Sequence, residues 1–229
     1  MHETTNPSGR NKLLAALSNQ EYERLSPHLE RVDLPHGQVL YEMGAPVKYV
    51  YFPHGAMISL VKQMTDGKII EVGLIGNEGM SGVEALMGEE TSLERAIVQI
   101  ADSGVRAKLA VIKEEFSQGG ELQRVLLGFA RTLIRQIAQT AACNSSHTVE
   151  ERLSRWLLMC HDRVSGKEFN LTQEFLAEML GTRRATVSVT AMALQLDGLI
   201  NYRRGHITII DREGLESSVC ECYRALVDC

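Results

Sequence analysis

Arg183 and Arg184 stand side by side in "LGTRRATVSVTAMALQLDGLI", Leu180 to Ile200, with Thr186 and Ser188 close behind them. An arginine holds five N–H donors in a fixed planar fork, which matches the acceptor edge of guanine in the DNA major groove and also meets phosphate oxygens. Thr and Ser hydroxyls add shorter polar contacts. Arg184 is therefore the candidate base reader, and Arg183 shares that role or meets a phosphate. A second basic pair, Arg203 and Arg204, follows in "LINYRRGHITII", where phosphate contact is the expected chemistry. Every positive residue from Leu171 to Arg212 is Arg, the type suited to bidentate recognition. The competing reading is a surface helix whose arginines are merely solvated.

Other chemistries find less support. There is no G-x-S-x-G elbow, no GxxxxGK phosphate loop and no GxGxxG fingerprint, and "GNEG" at Gly76 to Gly79 reads as a turn with an acidic residue. No catalytic residue is expected. The five cysteines, Cys143, Cys160, Cys220, Cys222 and Cys229, are odd in number and sit in no short Cys-rich scaffold, so reduced thiols are the default. Cys220, Cys222 and Cys229 are spaced too irregularly for a standard four-cysteine zinc pattern; a tail disulfide or redox switch is the other reading. The seven histidines, His2, His28, His36, His54, His147, His161 and His206, form no compact ligand motif. Neither a metal nor a cofactor is expected.

The arginines need elements to position them. Thr172 can cap a helix with Gln173 and Glu174 in its first turn and Phe175, Leu176, Met179 and Leu180 on its apolar side. Gly181 ends that helix. Thr182 or Arg183 opens the next, in which Val187, Ala191 and Leu194 recur at helical spacing and can bury against the first. Two short helices joined at a glycine make a helix-turn-helix candidate, with the basic and hydroxyl side chains at the leading end of the second helix. The strand-like pieces around Arg203, Arg204 and Gly205 add a small hairpin wing. Thr172, Gln173 and the wing would then meet phosphates and set register without reading sequence.

Upstream the chain changes character twice. Lys12 to Leu29 suits short helices interrupted at Pro27. From Val32 to Ile112, "QVLY", "VKYVYF", "AMISLVKQM", "KIIEVGLI", "RAIVQI" and "VRAKLAVI" alternate with glycine-bearing turns, which predicts an antiparallel sandwich or small barrel. From Glu114 to Asn144 no Pro occurs, and Leu122, Leu126, Phe129, Leu133 and Ile137 recur at steps of three and four, with Val125 and Ile134 widening the stripe. One helix of about 30 residues would span about 45 Å. It could lie across its own sheet or pair with its copy in a second subunit. Its length favours pairing, with Leu122, Leu126, Phe129, Leu133 and Ile137 as the dimer interface.

At 229 residues, with 44% apolar and 23% charged, the chain can bury real cores. The formal charge of -5 argues against a generally basic coat but not against a local basic patch, since the negative excess sits mainly in the first half. No apolar run approaches the roughly 18 residues of a membrane span, and residues 1–12 lack the hydrophobic stretch of a secretory signal, so a cytoplasmic protein without a membrane partner is expected.

From Leu13 to Ile210 the chain resembles the cyclic AMP receptor protein and fumarate-nitrate reduction regulator family, the CRP/FNR family of bacterial transcription factors. The strongest piece is "TQEFLAEMLGTRRATVSVTAMALQLDGLI"; "FPHGAMISLV", "TDGKIIEVGLIGNEG" and "ERAIVQ" precede it in the family's order. The resemblance implies an α+β chain with three parts. Residues 1–115 would be a cyclic-nucleotide-binding-like β-roll (jelly roll) sensor, 116–145 a dimerisation helix and 146–229 a winged helix-turn-helix. It further implies a homodimer on double-stranded DNA with an inverted-repeat site, and RNA polymerase as a further partner.

Departures from the family pattern carry expectations of their own. The cyclic AMP branch uses Arg, Glu and a second Arg on its recognition helix; Arg184 fits the first, but Ala185 and Val189 replace the others and offer only apolar contact, as to a thymine methyl. In the sensor, Gly82 matches the family's phosphate-loop glycine, Val83 stands where the ribose-binding Glu belongs, and Arg95-Ala96 replaces Arg-Ser. Arg95 could meet an anion or pair with Glu84 or Glu94. Gly82, Glu84, Arg95 and Ala96 therefore mark the ligand pocket if there is one, but control by cyclic AMP is not expected. A regulator responding to another nucleotide or small anion, and a structural dimer that binds no DNA, are the alternatives. The oxygen-sensing branch holds an iron-sulfur centre on N-terminal cysteines, and Met1 to Val111 contains none.

Overall fold

The computed structural model describes residues 10–164 and 168–227; His2 and Cys229 lie outside them. Two compact units divide the chain, Met1–Leu60 with Leu74–Leu133, and Val61–Gly73 with Ile134–Cys229.

In the first unit, α1 (Lys12–Ala15) and α2 (Asn19–Leu25) precede the sheets, with a 3-10 turn at Ser26–His28. Asn11 caps α1 and is fully buried; its amide donates to the carbonyls of Pro53 and Gly79 at 3.0 and 2.9 Å, so one side chain both starts a helix and bridges two loops. The strands that follow are β1 (Glu30–Leu34), β2 (Val39–Tyr41), β3 (Tyr49–Pro53), β4 (Met57–Gln63), β5 (Ile69–Ile75), β6 (Arg95–Ile100) and β7 (Asp102–Lys108). They form two sheets, ordered β1-β7-β3 and β2-β6-β4-β5. The pairs β1/β7, β3/β7 and β2/β6 are antiparallel, as the short β-rich segments predict. Phe52, Met57, Ile58, Leu74, Ile75, Met80 and Val98 fill the core.

The expected helix from Glu114 to Asn144 is interrupted. α3 (Leu109–Ser117) stops before Gly119 and Gly120, whose φ values of 80° and 90° place both in the left-handed region, and α4 runs from Glu121 to Ser146. Its 26 residues span about 39 Å. The carboxylate of Glu21 on α2 caps it, accepting from the backbone N–H of Glu121 at 2.8 Å and of Leu122 at 3.3 Å.

Much of the apolar stripe assigned to a dimer interface faces inward. Leu122, Leu126, Phe129 and Leu133 are buried within their own chain, and Ile137 is half-buried. Phe129 packs onto Gly79, where a Cβ would stand 2.4 Å from the aromatic ring, so only glycine permits the approach. The apolar residues that α4 leaves exposed are Leu127 at 47% and Ile134 at 60%, followed on the same face by Ala138 and Ala141.

The second unit holds the Val61–Gly73 part of β4 and β5, which includes Glu71, the end of α4, and α5 (Val149–His161), β8 (Glu168–Asn170), α6 (Gln173–Met179), α7 (Arg184–Leu196), β9 (Ile200–Arg203), β10 (His206–Ile209), α8 (Arg212–Ser218) and α9 (Arg224–Val227). α5 begins with a reciprocal capping box: Thr148 Oγ1 accepts from the Glu151 N–H, and Glu151 accepts from the Thr148 N–H at 2.8 Å. Its buried Trp156 donates to Glu71 at 2.9 Å. Strands β8, β9 and β10 form a sheet ordered β8-β10-β9. Arg212 joins α8 to the end of α5, donating to Asp162 at 2.8 Å and to the Tyr223 hydroxyl at 2.7 Å.

Candidate nucleic-acid interface

Thr172 caps α6, its Oγ1 accepting from the Phe175 N–H at 3.2 Å. The helix ends in a Schellman turn: the Thr182 N–H donates to the Ala177 carbonyl at 2.9 Å and the Gly181 N–H to the Glu178 carbonyl at 3.0 Å, with Gly181 at φ 58°. That turn redirects the chain into α7. Val187, Ala191 and Leu194 on α7 and Leu176, Ala177 and Met179 on α6 are buried. The guanidinium of Arg152 on α5 donates to the Leu180 carbonyl and so fixes the turn from behind.

Arg183 is the N-cap of α7 and makes no side-chain cap bond, so the helix proper opens at Arg184. The Thr186 N–H is taken by the Arg183 carbonyl at 2.9 Å, but no cap side chain covers the start of α7, whose positive dipole end suits an anionic partner. Arg183, Arg184, Ala185 and Thr186 are exposed, while Thr182 and Ser188 are half-buried. The far end repeats the Schellman pattern at Gly198, with Leu199 donating to the Leu194 carbonyl at 3.0 Å and Gly198 to that of Gln195 at 3.1 Å. The chain leaves this turn directly into the wing. Arg204 and Gly205 turn it, with φ of 52° and 84°. Two successive positive φ values characterise the tight hairpin turn whose twist matches paired strands, and Arg204 occupies a conformation that costs a non-glycine residue energy.

A groove of about 470 Å³ gathers Thr172, Gln173, Glu174, Arg184, Tyr202, Arg204 and Gly205. It unites the capped end of α6, the leading turn of α7 and the tip of the wing, segments up to 33 residues apart (Thr172 to Gly205). Thr182, Arg183, Thr186, Ser188 and Arg203 lie outside the groove; Arg203 is exposed on β9. Tyr202, which the sequence pattern does not single out, forms part of the floor and donates its hydroxyl to the Leu171 carbonyl at 2.9 Å. Burial pushes this phenol above its ordinary pKa, so it stays a neutral donor.

The exposed face of α7 is apolar beyond its arginines. Val189, Met192 and Leu196 are 70%, 61% and 82% exposed, and with Ala185 they recur at steps of four, three and four. The sequence assigns apolar contacts to Ala185 and Val189; Met192 and Leu196 extend the same row, which the 3.6-residue period could have revealed.

In the first unit the candidate ligand residues make contacts within their own chain. Gly82 sits at φ 92°, and a Cβ there would lie 3.1–3.2 Å from the Tyr41 hydroxyl and from Val47 and Val50. Tyr41 itself donates to Ser81 at 2.9 Å. Arg95 Nε lies 3.3 Å from the carboxylate of Glu42, an ion-pair partner that the sequence reading does not include. Ala96 is fully buried opposite Tyr41 in the β2/β6 register. Burial foremost, with Glu94 nearby, holds the Glu84 carboxyl above the usual carboxylate range.

A capped helix, a glycine turn, a second helix with exposed arginines at its leading end and a basic-tipped hairpin together define a winged helix-turn-helix DNA-binding domain. Residues 151–218 match the family model for the Crp-like helix-turn-helix domain. Over 200 residues the chain is 22% identical to the CRP-like cAMP-activated global transcriptional regulator of Mycobacterium tuberculosis, covering 83% of this chain and 88% of that one. Its fold is similar to that of FixK2 from Bradyrhizobium japonicum, with TM-score 0.72 and 17% identity over 84% of this chain and 98% of that one. It also resembles TTHB099, a CRP-family transcriptional regulator from Thermus thermophilus, with TM-score 0.68 and 19% identity over 82% and 95% of the two chains. Residues 151–218 thus form a Crp-like helix-turn-helix domain, and the chain as a whole is similar in sequence and fold to transcription regulators of the CRP/FNR family. Among the described residues no helix is long and apolar enough to cross a membrane.

Proposed function

We propose that this regulator works in the cytoplasm as a homodimer that reads an inverted-repeat site in double-stranded DNA, and that cyclic AMP does not control it. The observation that carries the reading is the groove where Arg184, Thr172, Gln173 and Arg204 converge from three separate elements. Arg184 is the base reader, and the guanine edge is its target. Thr172, Gln173, Arg203 and Arg204 meet phosphates and set register, with Arg183, Thr182, Thr186 and Ser188 completing the contact surface. Ala185 and Val189 meet thymine methyls.

Pairing through α4 supplies the two-fold axis that an inverted repeat requires. The exposed face of Leu127, Ile134, Ala138 and Ala141 suits that role better than the buried stripe behind it. Residues 1–115 then form the sensor, 116–145 the segment whose helix α4 pairs the subunits, and 146–229 the DNA-binding part, with RNA polymerase as the partner at the promoter. Absence of cyclic AMP control rests on Val83 in place of an acidic ribose acceptor, on Arg95 engaged by Glu42 and on the side chains crowding Gly82. A ribose hydroxyl entering there would lose its hydrogen bonds to water without a matching acceptor. Selection of duplexes from a randomised library at stated salt tests the whole reading. It should recover an inverted repeat with a guanine in each half-site, and failure to enrich any duplex would overturn sequence-specific regulation.

A further inference from the structure

Four side chains from two distant stretches of sequence meet at the distal end of α4. Cys143 and His147 stand four residues apart, at the last turn of that helix and just beyond it, and Cys220 and Cys222 sit on the bend between α8 and α9. Their ligand atoms all lie within 4.8 Å of one another. Cys143, Cys220 and Cys222 are buried free thiols, and His147 is half-buried.

We propose that Cys143, His147, Cys220 and Cys222 form a structural zinc site. The edge lengths match the chemistry. With Zn–S of about 2.3 Å and Zn–N of about 2.0–2.1 Å, a tetrahedral Cys3His site has S···S edges of about 3.8 Å and S···N edges of about 3.6 Å. Here Cys143 Sγ lies 3.6 Å from Cys220 Sγ, and Cys222 Sγ lies 3.6 Å from His147 Nδ1. Three thiolates and an imidazole are a donor set that selects zinc over the hard, oxygen-seeking cations.

The surroundings are those of a ligated centre. His147 turns Nδ1 toward the sulfurs and Nε2 toward Glu221, whose carboxylate lies 3.2 Å away. An Nε2–H held by a carboxylate leaves the Nδ1 lone pair for the metal and fixes the ring orientation. Gln139, one turn before Cys143, donates its amide N–H to Cys222 Sγ at 3.0 Å, a bond that favours a thiolate. Zinc with three thiolates carries a net negative charge, and Arg155 and Arg135 flank the cluster's elements. Arg155 donates to Thr140 on α4 at 3.3 Å, and Arg135 donates to the Ala225 carbonyl on α9. Four protein donors fill the tetrahedron and leave no position for water or substrate, so the centre fastens the C-terminal bend to α4 and performs no catalysis. The sequence hides this set because Cys143 and Cys220 are 77 residues apart. Neither half, Cys143-x3-His147 or Cys220-x-Cys222, has a zinc-finger spacing by itself.

The test uses the full chain, kept reduced and equilibrated with micromolar free zinc, with metal content measured by mass spectrometry. One zinc per chain is expected. Cobalt(II) in its place should show thiolate-to-metal charge transfer and the visible bands of a tetrahedral ion. Cys143→Ser and Cys222→Ser should lose the metal, whereas Cys160→Ser, outside the cluster, should keep it. Glu221→Gln removes the carboxylate from a mostly exposed side chain, and should weaken zinc binding about tenfold with unchanged circular dichroism. Zinc far below one per chain, or unchanged affinity in both Cys222→Ser and Glu221→Gln, would overturn the proposal. A Cys143–Cys220 disulfide recovered from metal-free, anaerobically handled protein would overturn it in favour of a redox pair.

Discussion

Arg184 Nε lies 3.9 Å from the carboxylate of Glu174, and both side chains are mostly exposed. A pair so open to solvent contributes little to stability, so it holds the guanidinium near the groove without locking it. Arg184→Ala should cost about 1–3 kcal/mol at one base pair of each half-site and relax preference there, leaving the remaining positions as they were. Arg203→Ala should instead weaken all duplexes evenly and lower the salt slope by about 1. Binding measured across single-base variants at several salt concentrations separates the two effects. An Arg184 variant that is folded and keeps every mismatch penalty would remove base reading by that residue.

The two faces of α4 predict opposite failures. Leu126 is fully buried within its own chain, so Leu126→Ala should destabilise the fold by about 2–5 kcal/mol while the association constant of the folded fraction is retained. Leu127→Glu with Ile134→Glu places charge on the exposed face, and should break the dimer while the monomer stays folded and melts at a temperature that no longer depends on protein concentration. Sedimentation and thermal melts on the same samples check both outcomes. Retention of the dimer in the double charge variant would move the interface elsewhere.

How far these features can be read from sequence depends on whether they are local. Gly181 and Gly198 each follow a run of helical spacing, and each is a left-handed residue closing a Schellman turn, so the helix-turn-helix is visible in residue types alone. Thr172 as a cap is a similarly short-range signal. The orientation of α4 is not visible, because a stripe of Leu and Phe at three- and four-residue steps looks the same whether it faces its own sheet or a second copy. What decides is Gly79, 50 residues before Phe129, whose missing side chain admits the ring. The break at Gly119-Gly120 is obscured by apolar positions that continue in step on both sides. The cysteine and histidine cluster escapes for the same long-range reason.

Cyclic AMP at saturating concentration should leave DNA affinity unchanged. Tyr41, Val47 and Val50 occupy the space beside Gly82, and Arg95 is already paired with Glu42. Calorimetry with cyclic AMP should show no saturable heat. Saturable binding accompanied by a gain in DNA affinity of about tenfold, a coupling of roughly 1.4 kcal/mol, would restore cyclic AMP as the effector.

Glu21 accepts from two backbone N–H groups of α4 and from the Ser18 hydroxyl at 2.7 Å, and the Ser18 bond foremost holds its carboxyl below the usual carboxylate range. A depressed pKa means that the ionised form stabilises the fold. That contribution is fully present above the unfolded-state value of about 4.3 and is lost as pH falls through the lower folded-state value. Glu21→Gln keeps an acceptor oxygen but removes the charge at the positive end of the helix. At pH 7 it should therefore be less stable than the parent by about 0.3–1 kcal/mol. Denaturant titrations from pH 7 down to pH 3 should show the two curves converging, because protonation makes the parent resemble the variant. A deficit that stays constant over that range would assign the effect to packing of the side chain and not to its charge.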